Sequence, residues 1–265
     1  MDDGQTFQRE REEEIETLGR DAELQQMALT FIEKAGKHKY SYHFDWLSRP
    51  IIQHPQDIVA LQELIWRIKP DLIIETGIAR GGSLMLSASM LALLDYCEAA
   101  ETGKPLDPSK SRRRVLGIDI DIRSHNRAAI EAHPLAHLID MVEGSSIAPE
   151  IIAQVQAVAR NHKIILVCLD SNHTHAHVLA ELEAYAPLTS PGSYCVVFDT
   201  GIEDMVDATF PDRPWGRGNN PKTAVREYLR RQQKDNTAPC FEVDKSIENK
   251  LLITAAPDGF LKRIR

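Results

Sequence analysis

The chain has 265 residues, 43% of them hydrophobic and 26% charged, and a formal net charge of −8. Those proportions exclude disorder as the main state and any general attraction to nucleic acid or anionic lipid. Four cysteines with no C-x-x-C pair imply neither a disulfide framework nor a structural zinc site.

Residues 1–10 read as a disordered arm. From Glu12 to Lys34, the residues Leu24, Met27, Ala28, Phe31 and Ile32 recur at three- and four-residue steps. That spacing predicts a helix whose apolar stripe packs on the core or on a second subunit. Residues 36–56 are rich in aromatics, His and Pro without a period, as expected either of a connecting segment that lies over a binding cleft or of a surface loop pinned by Phe44 and Trp46. A helix is predicted over 55–68, a buried strand over 71–75, a glycine turn over 77–82 and a long apolar helix over 83–97. After a polar loop at 99–113, strands are predicted at 115–119, 138–142, 164–169 and 194–198. Helices follow the first three of these at 124–132, 148–160 and 174–185. A last helix spans 221–232, and 240–243 with 250–254 read as a final strand pair. The run Arg112-Arg113-Arg114 reads as a solvated loop end.

Apolar strands alternating with helices predict an α/β protein with a doubly wound, Rossmann-like, mainly parallel sheet and an N-terminal helical extension. No apolar run approaches the roughly 18 residues of a membrane span. The acidic N-terminus is unlike a secretory leader, so the expected location is cytoplasmic, with no membrane partner and no nucleic acid.

Ligands in such sheets bind beyond the carboxyl ends of the strands. Polar groups end all five: Glu75-Thr-Gly77, Asp119-Ile-Asp121, Glu143-Gly-Ser145-Ser146, Asp170-Ser-Asn-His173 and Asp199-Thr200. The first turn has neither G-x-G-x-x-G spacing nor a Lys-Ser or Lys-Thr after its glycines, which excludes a Walker-type phosphate loop. Glu75, just before that turn, repels a pyrophosphate and suits a cationic ligand carrying an amino group and a sulfonium.

The segments Ile73 to Ser83, Val115 to Arg123, Glu143 to Ser146, Asp170 to Thr174, Tyr194 to Thr200, Pro214 to Pro221 and Trp46 to Gln53 together resemble the cephalosporin hydroxylase / rhamnosyl O-methyltransferase family of class I S-adenosylmethionine methyltransferases. The resemblance spans about residues 40 to 255. It implies O-methylation of a sugar or other hydroxylated small molecule by a domain over 57–265, with 1–56 as helix and cleft-covering segment. By resemblance, Glu75, Gly77, Arg80, Gly81 and Ser83 hold the methionine part of the cofactor. Asp119, with Asp121 beside it, takes the ribose, and Ser145 and Ser146 lie near the adenine. Asp170 and Asp199 match positions that hold a divalent metal, usually magnesium, with Asp170 also bordering the cofactor. Relatives are oligomeric, so a homo-oligomer is expected.

Methyl transfer needs the acceptor oxygen in line with the methyl carbon, and a sugar hydroxyl must lose its proton. His173, three residues after Asp170, is the candidate base because imidazole titrates near neutral pH. Trp215 and Asn219, in the loop after the fifth strand, are candidate acceptor contacts. Two other readings stay open. One is a zinc hydrolase using Asp170, His173 and His177, with His175 and His177 otherwise plain helix surface. The other is a non-catalytic cofactor binder, because Phe198 stands where some metal-dependent relatives carry a second acid, a role that Glu203, Asp204 or a water would otherwise fill.

Overall fold

The computed structural model describes residues 2–206, 211–232 and 239–265. Its N-terminus is helical from the start, contrary to the expected arm. Helix α1 runs Asp3–Arg20 and α2 runs Ala22–Gly36. The Asp2 side chain accepts from the Gln5 amide, and Glu16 pairs with Arg20 one turn on. Such local terms, with a Glu- and Arg-rich composition, carry a helix that buries none of its residues. The predicted single helix breaks at Asp21, whose side chain caps α2 by accepting from the Leu24 amide.

Strands β1 (Phe44–Trp46) and β2 (Arg49–Ile51) form a hairpin inside the stretch expected to be loop. Leu47 and Ser48 both take positive φ, 46° and 67°, the left-handed pair that a two-residue hairpin turn requires. Neither residue type signals such a turn.

The core follows the predicted alternation. In chain order it comprises α3 (Pro55–Ile68), β3 (Leu72–Thr76), α4 (Gly82–Thr102), β4 (Arg114–Asp119), α5 (Ser124–Glu131), β5 (Ile139–Glu143), α6 (Pro149–Ala159), β6 (Ile165–Leu169), α7 (His175–Tyr185), β7 (Tyr194–Val197), α8 (Pro221–Gln232), β8 (Phe241–Val243), α9 (Lys245–Leu251) and β9 (Phe260–Arg263). The seven-stranded sheet has the order β5-β4-β3-β6-β7-β9-β8, and β9 runs antiparallel to both its neighbours. The order reverses at β3 and β6, so a crevice opens beyond their carboxyl ends. Helices cover both faces and give two apolar layers, one around Ile73, Leu84 and Leu166, the other around Ile74, Val167 and Leu182.

Three expectations are corrected. Residues 245–251 are helix, started by the Asp244 side chain accepting from the Ser246 amide, and the partner of β8 is β9 rather than 250–254. Helix α4 is long and apolar enough to cross a membrane by length and composition, because polar residues within it shorten the run but not the helix. It lies in the core, with Leu84, Leu86 and Leu91 fully buried. Arg113 is not solvated: it pairs with Asp95 and, at 3.1 Å, with Glu98.

Candidate functional site

Strand β3 ends in the buried pair Glu75 and Thr76, and the turn that follows alternates into the left-handed region at Gly77, Ala79 and Gly81, with φ of 91°, 46° and 84°. Successive amides of such a turn converge into an anion-binding concavity. Here the anion is internal. Asp119, at the end of β4, accepts through Oδ2 from the amides of Ile78 at 2.8 Å and Ala79 at 3.2 Å, and through Oδ1 from Asp121 at 3.1 Å. The acid expected at the ribose therefore first shapes the turn. Asp121 is exposed, 3.8 Å from Arg123.

Gly77 has no alternative, since a Cβ there collides with the carbonyl of Asp170. A Cβ at Gly82 meets the backbone of Pro50 and Ile51 in the same way. The turn is thus pressed between the backbone carrying the first candidate metal acid and the hairpin segment. Arg49 and Asn126, which sequence reasoning missed, hold it there. The Asn126 amide donates to the Ala79 carbonyl at 3.0 Å, and the Arg49 guanidinium donates to the Arg80 carbonyl and, at 3.0 Å, to Asn126. Arg49 lay within the recognised Trp46 to Gln53 stretch. Asn126 had only its place in the first turn of a helix to mark it. The Arg80 side chain is exposed.

Ser83 donates to the Glu75 carboxyl. Burial raises Glu75 to about 7, with the Ser83 hydroxyl pulling the other way. A neutral or half-ionised acid beneath the turn becomes a full carboxylate when a cation arrives.

Asp170, His173 and Asp199 each offer a ligand atom within 4.8 Å of the other two, the only such group of three among the described residues. His173 Nε2 is 3.3 Å from Asp199 Oδ2. Asp199 has a φ of 55°, a strained setting for a non-glycine residue that turns the chain straight after β7. Burial, then Asp199, Glu75, Glu181 and Asp57, drive the Asp170 pKa well up. So many carboxyls in one crevice cannot all ionise without a counter-charge, and two hard oxygen donors fit a divalent cation. Phe198, in place of a second acid, points into the core and is 3% exposed. Glu203 and Asp204 do not replace that acid. Glu203 accepts from the Gly218 amide at 2.8 Å and from Asn220, and Asp204 pairs with Lys222 at 2.5 Å.

The loop after β7 folds back over His173. Trp215 meets the imidazole edge to face at 4.8 Å between centroids, and Arg213 lies over the Trp215 ring at 5.1 Å. The Asn219 amide is engaged at both ends, accepting from the His175 amide at 3.0 Å and donating to the Pro214 carbonyl at 2.7 Å. It is a loop fastener in this arrangement rather than a free contact for an acceptor.

His175 and His177 are not plain surface. His175 Nδ1 lies 2.8 Å from the Thr223 hydroxyl. His177 Nε2 lies 3.0 Å from Ser146 Oγ, 3.3 Å from Ser171 Oγ and 3.5 Å from Glu181. Glu181 is wholly buried and also accepts from Ser171 at 2.6 Å. His177 thus ties the turn after β5, where Ser145 is half-buried and Ser146 buried, to the loop that presents Asp170. It lies outside the group of three, and α7 starts after His173. The hydrolase arrangement of Asp170, His173 and His177 is therefore not built.

Two further acids and bases escaped the sequence reading. Asp57 of α3 is wholly buried and raised to about 7, chiefly by burial. His54, at the start of α3, has its pKa lowered by burial and raised by the nearby Asp199. Their only sequence signal was polarity on an amphipathic helix, which solvent exposure explains equally well.

A family model described as Rhamnosyl O-methyltransferase/CmcI matches residues 38–264. The rhamnosyl O-methyltransferase of Mycobacterium bovis BCG is 32% identical over 208 residues, 78% of this chain and 73% of that one. That of Mycobacterium leprae is 29% identical over 220 residues, 82% of each. Among solved structures, CmcI with Mg and SAM superposes with a TM-score of 0.53 at 16% identity, over 84% of this chain and 78% of that one. The apo form of CalS11, a TDP-rhamnose 3'-O-methyltransferase, gives 0.50 at 16% identity over 92% and 93%. At these identities the structures speak to the fold.

Proposed function

The chain belongs to the rhamnosyl O-methyltransferase/CmcI family, and from that premise we propose that it is an S-adenosylmethionine-dependent O-methyltransferase acting on a hydroxyl of a sugar, assisted by a divalent metal, with magnesium the best fit to its carboxylates. The observation that carries this reading is the contact of Gly77 with the Asp170 backbone, which sets the cationic-ligand turn directly against the Asp170–His173–Asp199 group.

When bound, the sulfonium cofactor supplies an electrophilic methyl carbon, and a divalent cation lowers the pKa of a hydroxyl beside it. The chain does the rest. Glu75 and the turn would hold the cationic end of the cofactor. Asp170 and Asp199 would hold the cation, beside the acceptor hydroxyl. His173 takes that proton as the oxygen bonds to carbon and the carbon–sulfur bond breaks. Asp199, 3.3 Å away, orients the ring and stabilises the imidazolium. Trp215, packed against the imidazole, fixes its plane and shields it from water.

Calorimetric titration of S-adenosylmethionine and its demethylated product, with magnesium and with EDTA and with NAD as control, tests the proposal. Micromolar binding of the sulfonium cofactor, none of NAD, and magnesium-stimulated methylation of a rhamnoside are expected. No cofactor binding under either condition would overturn it.

A further inference from the structure

The loops that form the site close into a ring. The cofactor turn is held by the Asp119 carboxylate through the Ile78 and Ala79 amides. The Asp119 carbonyl accepts from the Gly144 amide at 2.8 Å, which joins the loop after β5 to that turn. On the other side Gly77 presses on the Asp170 backbone, and the Asp170 amide donates to the Thr76 carbonyl at 2.9 Å. What remains is the gap between the loop after β5 and the loop after β6. Those strands are not neighbours, since β4 and β3 lie between them, so no ladder hydrogen bond spans it. Side chains of α7 do. Tyr185 donates to the Ser146 carbonyl, and His177 reaches both loops at once, with Nε2 3.0 Å from Ser146 Oγ and 3.3 Å from Ser171 Oγ.

Counting protons shows how this contact works. Ser171 gives its one hydroxyl proton to Glu181 Oε1 at 2.6 Å, so toward His177 it accepts. The imidazole Nε2–H is therefore the donor, shared between hydroxyl oxygens on two loops. Glu181 lies 3.5 Å from the same nitrogen, is wholly buried, and its Oε2 has no hydrogen-bond partner. That carboxyl keeps its place through Ser171 and His177, and its charge reaches Asp170. Ser171 also follows Asp170 directly in the chain, so a shift of His177 is felt at Asp170 through backbone as well as charge. We infer that His177 is a positioning residue that couples the two halves of the site. It holds the Asp170 loop in register with the cofactor turn, so that a filled methyl-donor site binds the divalent cation more tightly, and the reverse by thermodynamic necessity. This rests on the metal-assisted methyltransferase reading above.

The test uses the full chain and calorimetric titration of S-adenosylmethionine in EDTA and in saturating magnesium chloride. In the wild type, magnesium should tighten cofactor binding about tenfold, within the usual range of coupling between sites. In His177→Ala that ratio should fall below about twofold, with affinity in EDTA kept within about threefold, because the link is cut and the donor site is not. His177→Gln, whose amide nitrogen overlies ring Nε2, should keep a ratio above about fivefold. Ser171→Ala cuts the same link from the metal loop and should also lose the ratio, which decides the matter should His177→Ala not fold. A wild-type ratio near one, or an unchanged ratio in either alanine variant, overturns the inference while cofactor binding sustains the methyltransferase reading. A merely structural role lowers affinity equally in EDTA and magnesium, and that outcome overturns it too. A wild-type protein that binds no cofactor under either condition overturns the methyltransferase reading, and this inference with it.

Discussion

At the scale of the residue, the site is a set of acids held in a crevice that cannot accommodate their full charge. His173, with Nε2 3.3 Å from Asp199, is the imidazole placed among them to take a proton. We expect His173→Ala to lower turnover by roughly 10²- to 10⁴-fold, the usual range for a general base, while calorimetry shows cofactor affinity unchanged. Retained turnover would return the proton to solvent. Glu75 gives a stability test. Burial lifts its folded pKa to about 7 from the ordinary 4.5. Between those values the native state binds more protons than the unfolded one, so its contribution falls as pH rises and is fully lost above 7. Without cofactor, Glu75→Gln should be more stable than wild type at pH 8, by up to about 3 kcal/mol. The two should converge near pH 4, and the variant should bind S-adenosylmethionine more weakly. Urea melts at the two pH values decide it, and equal stability at pH 8 refutes the assignment. The strand-end acids were legible in sequence because they end apolar runs. Asn126, Arg49 and Glu181 were not, since the partners of Asn126 and Arg49 lie 31 to 77 residues away and Glu181 is engaged by Ser171, in the loop before its own helix.

At the scale of the element, the strand–turn–helix unit from β3 to α4 is set by close backbone approach. Gly77→Ala should fail in two ways, through its positive φ and through collision with Asp170. We expect at least about 1–2 kcal/mol of destabilisation and loss of both cofactor binding and metal stimulation. A variant that melts like wild type and binds both ligands would show that the two loops move independently. The five parallel strands were readable because continuous apolar runs have one outcome in a sheet covered on both faces. The hairpin at 44–51 was not readable, because Leu47 and Ser48 adopt left-handed conformations that local propensity disfavours. Only packing of the hairpin strands against α4, including the Trp46 indole donating to Ser89 at 3.0 Å, holds them there. Strand β9 was hidden for a related reason. Phe260–Arg263 is four residues long, and its identity depends on finding β7 and β8 on either side.

At the scale of the molecule, α1 packs along α9, where a Cβ on Gly19 would meet Asn249, yet buries no residue of its own. A chain starting at Asp21 should keep the seven-stranded core and melt within about 3 °C of the full chain, as expected for loss of an exposed element. A larger drop would mean that α1 is buried in an assembly, which sedimentation of the two chains would show directly. Composition and periodicity by themselves determined the α/β class, the parallel core and the strand ends where chemistry sits, because burial and strand alternation are local averages over many residues. The order and spacing of the motifs added the family. Tertiary structure decided which polar groups converge. It gave His177 to Ser146 and Glu181 rather than to the metal group, and gave Asn219 to its own loop. Those outcomes depend on distances between segments far apart in the chain, and a side chain's chemistry is settled by the neighbour it finds there.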